Sequence, residues 1–86
     1  MEISSLKKAN EISVLIEKKE KEIHRMKYQE LILERRLKTN IEHTIDLKVD
    51  SNFFVIRLPD LITLVGKRIM NVEFEVRKLE LELKNL

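Results

Sequence analysis

The stretch from Ile62 to Leu86, ITLVGKRIMNVEFEVRKLELELKNL, decides the fold. Ile62, Val65, Ile69, Val72, Val76, Leu79, Leu83 and Leu86 follow at alternating spacings of three and four, and all are apolar. An α-helix turns once every 3.6 residues, so this alternation keeps the side chains in one narrow stripe. Left in water, such a stripe costs roughly 25 cal/mol per Å², so it calls for a second helix to cover it. Val72-Glu-Phe74-Glu-Val76 and Leu79-Glu-Leu81-Glu-Leu83 also alternate with period two, a strand pattern. Helix is favoured, because no turn residue separates the two runs and Glu, Leu, Lys and Arg form helices well. Phe74 and Leu81 then lie off the stripe and need a further neighbour.

Upstream of this stretch, Pro59 stops a strand and Asp60 is a natural N-cap, which places the C-terminal helix over 60–85. Gly66, the only glycine, costs about 1 kcal/mol against alanine inside a helix, which points to close backbone approach or a kink. Phe53 to Leu58 is a β-branched and aromatic run. Before it, Ile45, Leu47 and Val49 alternate with Thr44, Asp46 and Lys48, and Asp50-Ser51-Asn52 supplies a turn. These residues predict a β-hairpin over 44–58. Alone it is marginal, so it must pack on helices or extend another chain's sheet.

The N-terminal part reads as one helix over 5–40, capped by Ser4 or Ser5, ended near Thr39 and Asn40, and about 50 Å long at 1.5 Å per residue. Its three-four pattern runs through Ala9, Ile12, Ile16, Lys19, Ile23, Met26, Glu30, Leu33, Leu37 and Asn40, broken by the charges of Lys19 and Glu30. The triplets Val14-Leu15-Ile16 and Leu31-Ile32-Leu33 spread apolar surface more widely than a two-helix hairpin covers. Glu17 with Lys21, Glu34 with Lys38, Glu73 with Arg77 and Glu80 with Lys84 are acid-first i, i+4 pairs on solvated faces.

Two long antiparallel helices, coiled-coil-like and joined by a short β-hairpin in a single domain over 1–86, are therefore expected to assemble as an oligomeric helical bundle. The expected oligomer interface is Ile12, Ile16, Lys19, Ile23, Met26, Glu30, Leu33, Leu37, Val65, Ile69, Val72, Val76, Leu79 and Leu83. In an antiparallel homodimer of the first helix, Lys19 faces Glu30 of the other copy. Lys19 can equally snorkel from the edge of an intrachain hairpin, with Glu30 reaching water beside it.

Composition narrows the function classes. At 86 residues a lone chain buries only around 60% of its unfolded surface. Charged residues make up 37%, with one glycine and one proline, close to long helical proteins and poor in the loops that build catalytic pockets. A net charge of +2, from 17 basic and 15 acidic residues, creates no strong field toward nucleic acid or an anionic membrane. The absence of cysteine excludes a disulfide framework or thiolate metal site and fits an intracellular, cytoplasmic setting. Neither a signal peptide nor a membrane span is expected.

Chemistry-bearing constellations are sparse. His24 and His43 have no neighbouring ligand at metal spacing, so no metal or cofactor is expected; the glutamates lack a pocket, and there is no phosphate loop or nucleophile motif. No catalytic residue follows, and the chain is not expected to be an enzyme. Arg35, Arg36 and Lys38, with Lys67 and Arg68 if the second helix folds back, form a candidate anion site, since guanidinium forks bind phosphate in a bidentate way. The aromatic residues Tyr28, Phe53, Phe54 and Phe74 are not interleaved with basic ones as in base-stacking platforms.

The expected function is a small assembly, adaptor or inhibitor protein that contacts a protein partner through Phe53, Phe54 and Ile56 or a helix face. Its composition suits an accessory protein of a phage or mobile element. The alternative is an oligomer that sequesters a nucleotide or other anion, or a nucleic-acid-binding regulator, using the basic clusters. The order of helix, β-hairpin and helix resembles that of prefoldin-like subunits in outline, with no shared motif.

Overall fold

The computed structural model describes residues 3–39 and 43–86. Two helices are joined by a small antiparallel sheet: α1 (Ile3–Thr39), β1 (Thr44–Val49), β2 (Asn52–Arg57) and α2 (Leu58–Lys84). The period-two reading of Val72 to Leu83 loses to helix, and α2 runs through it without a break.

Helix α1 begins at Ile3, so Ser4 and Ser5 sit inside its first turn and not at its cap. At the other end Thr39 Oγ1 donates to the carbonyls of Arg35 and Arg36 at 3.2 and 3.3 Å, satisfying groups that a helix end leaves unpaired. Asn40, expected as the last helical residue, lies outside the described residues.

In the β-hairpin Val49 pairs with Asn52, Leu47 with Phe54 and Ile45 with Ile56. The connecting loop is therefore Asp50-Ser51 alone, one residue shorter than the expected turn, because Asn52 is drawn into the ladder. Asp50 takes φ 56, a left-handed conformation that a two-residue hairpin demands and that aspartate tolerates better than most residues.

The strand-to-helix junction also differs from expectation. Leu58, read as the end of the second strand, is the first residue of α2, and the N-cap is Arg57, whose side chain makes no capping bond. Asp60 stands in the first helical turn. Proline fits this turn, since its missing N–H is one of the orphans there. Leu58 donates its amide to the carbonyl of His43 at 2.8 Å and buries its side chain completely, so packing and a backbone bond together replace the cap.

The helices pack antiparallel, as their cross-links show: Lys8 with Glu82, Lys19 with Glu75 and Glu22 with Arg68 ascend α1 while descending α2. Met26, Ile69 and Val72 form the centre of the core, with Ile23 and Val65 packed against them; Ile12, Val76 and Leu58 are the other buried apolar residues among those described. The molecule measures 59 × 29 × 14 Å. Its thin dimension is close to one helix diameter of about 10–12 Å, so the helix pair is one layer deep and neither broad face is covered.

Gly66 has neither of the expected causes. The helix is continuous across it, and among the described residues the only atom within 4 Å of the position a Cβ would take, apart from its own helix's backbone and chain neighbours, is Glu30 Oε2 at 3.4 Å. A Cβ there would make an ordinary contact with that carboxylate, so no close backbone approach accounts for the glycine.

Candidate interaction surface

Every residue expected at an oligomer interface is buried or half-buried within the single chain. Ile12, Met26, Ile69, Val72 and Val76 are buried, and Ile16, Lys19, Ile23, Glu30, Leu33, Leu37, Val65, Leu79 and Leu83 are half-buried. Lys19 accordingly finds its carboxylate at home: Nζ lies 2.7 Å from Glu75 Oε2. This contact and the Lys19 charge hold the Glu75 carboxyl below the usual carboxylate range, with Arg68 and Lys78 adding to the effect. Glu30 of a second copy is therefore not required to neutralise Lys19.

Further charges flank the seam on both sides. Arg68 reaches Glu22 at 3.3 Å and Lys27 reaches Glu73 at 3.9 Å. Glu17 and Lys21 close the expected i, i+4 pair at 3.2 Å, whereas Glu73 turns across to α1.

Once the seam has been used internally, a large apolar surface is left. Val14, Leu15, Tyr28, Leu31 and Ile32 on α1, and Leu64, Met70, Phe74 and Leu81 on α2, are all exposed. Near the sheet end, Ile32, Leu33, Leu61 and Val65 with Gln29 line a groove of about 310 Å³ between the helices. Toward the other end a smaller cleft of about 280 Å³ is lined by Leu15, Lys19, Glu75, Lys78, Leu79 and Glu82. The first is apolar, the second edged by charge.

The β-hairpin projects the rest. Phe53 is 69% exposed, Val55 68% and Phe54 53%, while Ile56 and Ile45, at the root of the hairpin, are half-buried. Of the three expected contact residues, Phe53 and Phe54 are thus free and Ile56 is partly covered. Lys48 lies 5.8 Å from the centre of the Phe53 ring, and Lys78 5.4 Å from that of Phe74, within cation–π range.

Sequence reasoning missed Val55, Leu61 and Leu64. Their positions follow from the hairpin register and the helix pairing, and neither is written in the local period; the two apolar triplets of α1 and the off-stripe Phe74 and Leu81 signalled further apolar surface without placing these three residues.

The two basic groups do not converge. Arg68 is held by Glu22, thirteen positions before Arg35 and so about 20 Å away along α1. Arg36 and Lys38 occupy the last turn of α1, where the helix dipole favours cations without any ligand. Among the described residues no group of three or more His, Cys, Asp or Glu is arranged to hold a metal ion, and no helix is long and apolar enough to cross a membrane.

Compared with protein-family models, curated proteins and solved structures, the chain matches none.

Proposed function

We propose that this chain is a non-enzymatic protein–protein interaction module that works as an oligomer, in an assembly, adaptor or inhibitor role. The contact surfaces in this reading are the β-hairpin around Phe53 to Ile56 and the outer apolar faces of the helices. The observation that carries it is the single layer formed by the two helices, in a molecule 14 Å across its thinnest direction, combined with the exposed apolar side chains on both helices and the hairpin. Among the described residues no second layer covers those side chains, and burying them against a partner gains roughly 25 cal/mol per Å².

Light scattering over a range of protein concentrations tests the reading. The expected result is a dimer or larger species, with a melting temperature that rises with concentration, as mass action requires of an assembly whose folded state is the associated one. A single subunit at the highest concentrations, melting at one temperature throughout, removes the proposal.

A further inference from the structure

The two outer edges of the β-hairpin are not equivalent. The Leu58 to His43 amide bond fixes which residues bond inward: pairs alternate along an antiparallel ladder, so 43/58, 45/56, 47/54 and 49/52 are the bonded pairs. Thr44, Asp46 and Lys48 on β1, and Phe53, Val55 and Arg57 on β2, therefore turn their N–H and C=O groups outward. The β1 edge carries Asp46 and Lys48, the kind of charged residue that blunts an edge against pairing. The β2 edge carries Phe53 and Val55, both about two-thirds exposed, with a charge only at its root.

We infer that β2 pairs antiparallel with β2 of a second copy, Val55 against Val55, to give a four-stranded sheet in the order β1-β2-β2-β1. This rests on the interaction reading above and names the partner for the hairpin. A twofold contact must be self-complementary, and this register is. On one face it sets Phe54 opposite Ile56 of the other copy, extending the apolar row formed by Leu47 and Phe54. On the other face it sets Phe53 opposite Arg57 of the other copy. The Phe53 ring, already 5.8 Å from Lys48 Nζ, then has a cation on each side. The two Asp46 carboxylates end three strand spacings apart, about 14 Å, and do not repel strongly.

The chain contains no cysteine, so one introduced thiol reports alone. In a Val55→Cys variant the two Cα atoms are expected about 5.5 Å apart, within disulfide reach, whereas in Val49→Cys they lie on the far strands. Mild oxidation should convert most of the Val55→Cys protein to a covalent dimer and leave the Val49→Cys protein uncross-linked. As a second variant, Val55→Pro removes an outward N–H that the hairpin itself does not use, and should halve the mass seen by light scattering while circular dichroism keeps the helical signal.

A non-covalent dimer in which Val55→Cys fails to cross-link, or cross-links no faster than Val49→Cys, overturns the edge pairing and leaves the oligomer reading standing. An unchanged mass for folded Val55→Pro does the same. A protein monomeric at all concentrations overturns both, and leaves the β2 edge to a strand of a different protein.

Discussion

Lys19 Nζ and Glu75 Oε2, on opposite helices, meet at 2.7 Å in a seam whose other positions are almost all apolar. The lysine sits where the α1 stripe asks for an aliphatic residue, and the glutamate comes from beside the α2 stripe to meet it. The pair is partly exposed, so solvent screening keeps its contribution small, as for other surface ion pairs.

Its pH dependence follows from the depressed Glu75 pKa. In the unfolded chain the carboxyl titrates at its ordinary value; in the folded one it titrates lower. The stabilisation is therefore complete above the unfolded value and is lost as pH falls through the folded one. The melting temperatures of the wild type and of Glu75→Gln should differ at neutral pH and converge in acid. A gap that widens as pH falls contradicts this assignment.

Gly66→Ala should raise stability by up to about 1 kcal/mol, the helix-propensity difference. The new methyl meets only the tip of the Glu30 side chain at 3.4 Å, which can rotate away. Thermal melting at one fixed concentration checks the sign. A lower melting temperature means that the Glu30 carboxylate is held in place.

Leu58→Ala should cost about 2–5 kcal/mol, since the side chain is fully buried where strand becomes helix. Leu64→Ala, at an exposed position of the same helix, changes an isolated subunit by no more than about 0.5 kcal/mol. In the assembled protein, where the outer face of α2 is covered, Leu64→Ala should cost more than that. Denaturant midpoints at low and high protein concentration separate the two cases.

A nucleotide added at low salt should leave the melting temperature unchanged, because Arg68 is paired with Glu22 and far from Arg35. An upward shift that fades as salt is added identifies a phosphate ligand and restores the anion-binding alternative.

The helices were legible because a period is local: each stripe is written in a single run of residues, and the structure turns both inward. The hairpin was legible for the same reason, through the alternation at Ile45, Leu47 and Val49. What a period cannot carry is the offset between two helices, which depends on the connection. Lys19 and Glu30 were visible as interruptions, and Gly66 as a lone glycine, but the pairing of Lys19 with Glu75 and the nearness of Glu30 to Gly66 were not. Leu58 was misplaced because leucine suits a strand end and a helix start equally well; only the bond to His43 and complete burial separate the two. The groove of Ile32, Leu33, Leu61 and Val65 needs both helices in register before it exists.

Strand β2 ends at Arg57 and α2 begins at Leu58, with no spacer between them. A torque applied at the fingertip of this molecule has no slack to take up before it reaches the shaft. A partner that holds the β-hairpin by Phe53 and Phe54 therefore acts on a segment joined to α2 by a single peptide bond.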